Sequence, residues 1–186
     1  MTEKRISKKS LNNLRQFNKE MRDLCRQSIE TALIELLEDK PLDQISISQL
    51  VAKAGVSRNA FYRNYRSKED ILKQRLDQVI RRIFKELKLF DLTSQANQAW
   101  YYLFNEAKKE EQLLRLIFKN QLQFLITQIV TKRLKAYQRW KLHHQSHYTR
   151  LFWSNAIVSV LVDWIKDGMP KSAEEMADMG LPFLSQ

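Results

Sequence analysis

The sequence predicts an all-α protein, and three observations carry that prediction. Turn residues are scarce: in 186 residues the only glycines are Gly55, Gly168 and Gly180, the only prolines are Pro41, Pro170 and Pro182, and neither occurs from Val56 to Asp167. A sheet protein needs residues with positive φ at most of its reversals and cannot run that far without them. Apolar residues recur at intervals of three and four, the period of a helix with one buried face. Serines stand just ahead of several of those runs, where a hydroxyl can accept a hydrogen bond from an otherwise unpaired first-turn amide. Hydrophobic residues make up 44% of the chain and charged residues 28%, a mix that supports a folded core rather than a disordered chain.

The elements follow in order. Residues up to about Asn18 are rich in Lys, Arg, Ser and Asn and read as a basic arm or a solvated first turn. From Met21 the positions Met21, Cys25, Ile29, Ala32, Leu33, Leu36 and Leu37 define an amphipathic helix. It is expected to end near Asp39, because Pro41 disfavours an α conformation at Lys40. Ser46 with Gln49 three residues on is a capping box that opens a helix over Ile47 to Lys53, and Gly55 supplies a left-handed cap at its end. Ser57 opens a short helix from Arg58 to about Tyr65, and Ser67 with Asp70 opens a long one carrying Ile71, Leu72, Leu76, Val79, Ile80, Ile83, Phe84 and Leu87. Thr93 or Ser94 caps a segment with Ala96, Ala99, Trp100, Leu103 and Phe104, and Lys108 to Glu111 forms a charged break. Leu113 to Ile117 and then Phe124 to Leu134 continue the pattern, with a corner at His143 to Ser146. Two last helices are expected over Ser146 to Asp167 and Ser172 to Leu184.

Charge and chemistry narrow the function. Lys and Arg number 32 against 21 Asp and Glu, a formal net charge of +11 and a pI of about 9.8, which points to a polyanionic partner. The lone cysteine, Cys25, cannot form an intrachain disulfide and reads as a small core residue in a reducing, cytoplasmic setting. The longest near-apolar stretch, Ala156 to Val162, is far short of the roughly 20 residues of a membrane span. No glycine-rich phosphate loop, zinc signature or nucleophile-elbow serine is present, so neither an enzyme nor a cofactor is expected. His143 and His147 stand four apart, the spacing of a two-histidine metal pair, but no carboxylate or thiol lies close in sequence, and ordinary surface histidines with no metal are the simpler account. The basic run Lys132, Arg133, Lys135, Arg139 and Lys141 reads as a solvated helix face.

A helix over Ile47 to Lys53, a turn of Ala54, Gly55 and Val56, and a second helix make a helix-turn-helix, whose second helix enters a DNA major groove. Arg58 and Arg63 can each bond guanine O6 and N7, and Asn59 and Asn64 can each bond adenine N6 and N7. From Lys53 to Lys88 there are 11 basic and 4 acidic residues, a net of +7. Residues 45–68, ISISQLVAKAGVSRNAFYRNYRSK, carry a capped helix, the turn Ala54-Gly55-Val56-Ser57, the aromatic pair Phe61-Tyr62, and Tyr65-Arg66-Ser67-Lys68-Glu69. This pattern resembles the DNA-binding signature of the TetR family of bacterial transcriptional regulators. Phe152 to Met176, with Trp164, Gly168, Pro170, Glu174 and Glu175, resembles the helices through which many members dimerise.

The resemblance implies a DNA-binding domain over residues 1–68 and a helical effector-binding and dimerisation domain over 69–186. It implies a homodimeric repressor on a palindromic double-stranded operator, released when a small-molecule or protein effector binds. Ser57, Arg58, Asn59, Tyr62, Arg63, Asn64 and Lys68 would form the DNA surface, with Tyr62 and Lys68 on backbone phosphates. Trp100, Phe104, Phe124 and Phe152 would wall an effector pocket. Ile157, Val160, Leu161, Trp164, Leu181 and Leu184 would lie in the dimer interface. Two other readings remain open: the same dimer under a protein partner as activator or coactivator, and a sequence-indifferent basic binder of nucleic acid.

Overall fold

The computed structural model describes residues 7–91, 94–141 and 146–181, without the side chains of 137–141. Every regular element among them is helical: α1 (Lys8–Asp39), a 3₁₀ turn (Leu42–Gln44), α2 (Ile47–Ala54), α3 (Arg58–Asn64), α4 (Lys68–Leu87), α5 (Ala96–Lys109), α6 (Glu111–Lys119), α7 (Gln123–Lys141), α8 (His147–Lys166) and α9 (Ala173–Ala177). The chain divides into two compact units, Met1–Ile71 and Leu72–Gln186.

In the first unit α1 packs on α2 and α3, and α2 on α3. Its core is Ile29, Leu33 and Leu37 from α1, Leu42 and Ile45 around the 3₁₀ turn, Leu50 from α2, Phe61 from α3, and Tyr65. The predicted start of α1 is corrected here. Ser7 caps the helix, its Oγ accepting from the Ser10 amide at 3.1 Å, so what reads as a basic arm is a further three turns and more of α1. Gln16 donates to Glu20 one turn on, at 2.7 Å. The signal lay in Leu11, Leu14 and Phe17, which continue the three-and-four spacing back from Met21. The far end falls at Asp39, as Pro41 requires.

In the second unit α5 packs on α6 and α9, and α8 on α6 and α7. Trp100 stacks on Phe104, centroids 5.5 Å apart, and Trp164 meets Phe104 edge-on at 5.1 Å. Both indoles satisfy their N–H groups, Trp100 on the Leu181 carbonyl at 2.9 Å and Trp164 on the Lys171 carbonyl at 3.0 Å, as buried tryptophans must. Fully buried Ser154 accepts from Thr131 Oγ1 at 2.8 Å and donates to the Leu151 carbonyl, fastening α8 to α7.

Two predicted boundaries in this unit differ. Ser94 does not cap α5: its hydroxyl donates to Asp91 Oδ2, and the helix begins after Gln95 with no side-chain cap, while Thr93 lies outside the described residues. The last helix is a single short segment. A capping box of Ser172 and Glu175 starts it, yet it stops at Ala177, with Gly180 at φ 67° beyond.

Candidate nucleic-acid interface and ligand cavity

The turn between α2 and α3 is set by three local devices. The Gln49 amide donates to Ser46 Oγ at 3.2 Å and the Ser46 amide to Gln49 Oε1 at 3.1 Å, so the capping box is complete. Gly55 takes φ 65° and ψ 30°, and the Val56 amide reaches back to the Val51 carbonyl at 3.0 Å, which closes α2 in the left-handed manner. Ser57 then caps α3, its Oγ accepting from the Ala60 amide at 3.1 Å. With φ that far positive, any L side chain at position 55 is strained.

α3 is divided by its packing. Phe61 and Tyr65 are wholly buried and in contact, with ring centroids 6.2 Å apart. The Tyr65 hydroxyl donates to Glu30 Oε1 of α1 at 2.7 Å, and the Arg26 guanidinium lies over its ring at 5.4 Å. Burial first, then the accepting and negatively charged Glu30, push the Tyr65 phenol far above its ordinary range, against Arg26, so it stays a neutral donor. The other face carries Arg58, Asn59, Tyr62 and Arg63, all exposed, and Tyr62 leaves 58% of its surface in solvent. Residues 47–64 contain no carboxylate, and nearby Lys53 is paired with Glu35 at 2.9 Å, which raises its pKa. The exposed face of α3 is therefore a cationic strip with amide and phenol groups among the guanidiniums, suited to phosphates and base edges together.

Three of the expected DNA contacts are engaged inside the unit. Arg58 Nη2 bonds Ser48 Oγ of α2, which orients the guanidinium; the sequence does not single out Ser48. Asn64 is half-buried and donates to the Ala60 carbonyl at 2.8 Å and to Cys25 Sγ at 3.7 Å. Lys68 turns its ammonium onto the carbonyls of Leu42 and Ile45, at 2.5 and 2.6 Å. There it adds a second donor to the Leu42 carbonyl, which already accepts from the Ile45 amide at 3.3 Å, and ties down the end of the 3₁₀ turn.

The second unit holds a cavity of about 70 Å³, counted as space for the centre of a water molecule. Its wall is apolar and mostly aliphatic: Leu76, Val79, Ile80 and Ile83 of α4, Ile126 and Val130 of α7, and Ile157 and Leu161 of α8 are among its members, with the aromatic Phe84 of α4 beside them. Among the described residues, Glu110 is the only ionisable one at the wall. Its carboxylate is held by Arg82 at 2.8 Å and Arg75 at 3.3 Å, and Arg82 also pairs with nearly buried Glu106 at 3.3 Å. Arg133 binds Asp77 across α7 and α4 at 2.5 Å, and its own Nε is buried with no hydrogen-bond partner.

The cavity is not where the aromatic residues pointed. None of Trp100, Phe104, Phe124 and Phe152 borders it: the first two are core, and Phe124 and Phe152 are 49% and 64% exposed. The expected interface divides in the same way. Ile157 and Leu161 face the cavity, Trp164 is buried within the monomer, and Val160 and Leu181 are half-buried, while Leu184 lies outside the described residues. The outward apolar groups on α8 are Tyr148, Leu151 and Phe152. His147 is exposed and meets Tyr148 edge-on, whereas His143 and His144 lie outside the described residues. Among the described residues no three potential metal ligands come together, and no helix is long and apolar enough to cross a membrane.

Comparison with known proteins places this geometry. Residues 29–74 match the model of the bacterial regulatory proteins of the tetR family, and residues 87–185 match that of a transcriptional regulator C-terminal region. The chain is similar to the solved structure of Lin0861 from Listeria innocua, with a TM-score of 0.73 at 16% identity over 84% of this chain and 87% of that one. It is also similar to a TetR transcriptional regulator of Streptococcus agalactiae, with a TM-score of 0.63 at 15% identity over 88% and 95%. The fatty acid degradation regulator FadR of Bacillus halodurans follows with 0.57 at 12% over 83% and 91%. At these identities the likeness is one of fold. No curated protein matches the sequence.

Proposed function

The chain belongs to the TetR family of bacterial transcriptional regulators, DNA-binding proteins and not enzymes, and from that premise we propose that it is a homodimeric repressor of a palindromic operator, released by an apolar effector. The observation that carries the reading is the split of α3 into a wholly buried aromatic face and an exposed face of Arg58, Asn59, Tyr62 and Arg63. Arg58, Asn59 and Arg63 read base edges, and Tyr62 and the Ser57 end of α3 rest on phosphates. Two such helices in a dimer meet half-sites about one turn, roughly 34 Å, apart. Lys68 and Asn64 hold the unit together at its edge, because their donors already have internal acceptors.

The effector's place is the aliphatic cavity of the second unit. A wall without exposed polar groups binds by burial of apolar surface and stays dry when empty, so the fitting ligand is a small hydrocarbon or the tail of a larger one. It acts by binding more tightly to the form that does not hold the operator. Tyr148, Leu151 and Phe152, outward on α8, supply apolar surface for the dimer contact. The cavity is small, which also supports the reading in which a protein partner replaces the small molecule and the dimer acts as an activator or coactivator.

Selection of bound duplexes from a randomised pool at near-physiological salt tests the reading. Enrichment of a palindrome with two half-sites is the expected result. Binding with no enriched sequence that collapses as salt rises would replace it with a nonspecific binder.

A further inference from the structure

The part of α1 that precedes its first buried residue, Ile29, runs for about 30 Å at the helical rise. An apolar stripe runs along it. Leu14, Phe17, Met21 and Leu24 are each at least half exposed, so none of the described residues covers them, and single scattered exposed residues would not line up in this way. Their spacing alternates three and four, which is the seam of a coiled coil. Ser7, Ser10 and Ser28 occupy the same seam positions at its two ends and bound the stripe.

The charges are arranged around that seam. Its edges hold Leu11, Asn13, Asn18, Cys25, Gln27 and one charge, Glu20, whereas Lys8, Lys9, Arg15, Lys19, Arg22 and Arg26 lie on the rest of the helix. A net charge of +4 over residues 8–28 would keep two such helices apart if the cations bordered the seam; here an identical helix meets no cation there. An acidic partner helix would find no cation at the edges to pair with. A helix lying in a bilayer surface presents a broad apolar face, wider than this narrow stripe.

We propose that this stripe is a self-association seam, along which α1 packs on α1 of a second copy of the chain as a short coiled coil. The contact joins DNA-binding units and is separate from any contact made through α8. Four seam residues make a short coiled coil and therefore a concentration-dependent one.

Sedimentation of the full chain over a concentration series tests it, with the double variant Leu14→Lys/Met21→Lys and the opposite change Leu14→Ile/Met21→Ile. These side chains are exposed, so the fold has no stake in them, and circular dichroism verifies that the helix content is kept. The wild type is expected to show an association step that the lysine variant lacks, with any step made through α8 retained in both. Isoleucine at these positions favours paired parallel helices and is expected to shift the midpoint to about tenfold lower concentration. Coincident sedimentation of wild type and lysine variant would overturn the proposal. So would an unchanged association step with loss only of binding to phosphatidylserine vesicles, which would assign the stripe to a lipid surface instead.

Discussion

The two units use their aromatic residues in opposite ways. In the first, Phe61 and Tyr65 are wholly buried while neighbouring Tyr62 stands in solvent, and each can be placed from its position on one short capped helix. In the second, Phe104 and Trp100 are core, Phe124 and Phe152 are surface, and the cavity lies among mostly aliphatic groups with Phe84 at its wall. Residue type therefore predicts role where a helix has one buried face, and fails where helices are enclosed on several sides. Large aromatics fill a core or anchor an interface as readily as they wall a space, and of the aromatics in this unit it is Phe84, on the cavity face of α4, that borders the cavity.

Four substitutions test that contrast. Phe104→Ala should cost about 3 to 5 kcal/mol in chemical denaturation, because its ring is fully enclosed between Trp100 and Trp164. A loss below about 1 kcal/mol would mean that the aromatic cluster is loosely packed. Lys68→Met should lower stability by about 1.5 to 3 kcal/mol, the worth of hydrogen bonds from a charged donor, and leave the salt slope of DNA binding unchanged. If stability held and the slope fell by about one ion, Lys68 would be a phosphate contact after all.

Arg63→Ala should leave the denaturation curve within about 0.5 kcal/mol of wild type, because the side chain is exposed. It should relax base preference at one position per half-site by about 1 to 3 kcal/mol, read from binding to single-substituted operators. Uniform weakening on every duplex would make it a phosphate contact instead. The smallest effect on the fold is expected from Phe152→Ser, within about 0.5 kcal/mol for the monomer, though it should weaken dimerisation in sedimentation if α8 forms the interface. Against Phe104→Ala it places the same residue type at the two extremes of burial within one unit.

Much of the first unit was legible because its signals are local. The capping box at Ser46, the left-handed Gly55 and the cap at Ser57 each involve residues within a few positions of one another, and all three appear as expected. The start of α1 was misplaced by the polarity of the segment, although Leu14 and Phe17 already carried the period. The direction of Lys68 was not legible, since its acceptors, Leu42 and Ile45, lie 26 and 23 residues away, nor was that of Asn64, which bonds the nearby Ala60 carbonyl but is also turned toward Cys25, 39 residues away. In α8 only a narrow polar strip, Asn155, Ser159 and Asp163, is marked for solvent, so periodicity leaves the wide remainder undivided, and Ile157 and Leu161 could as well have faced a partner as a cavity.

The sequence by itself determined the helical class, the helix-turn-helix and its family, because caps, turn glycines and apolar period act over one or two turns of backbone. Only the tertiary structure decided which aromatics are enclosed, where the empty space lies, and which polar groups of the DNA-binding unit are turned inward. Burial and hydrogen-bond partnership depend on what packs against a side chain, and in this fold those neighbours come from distant segments of the chain.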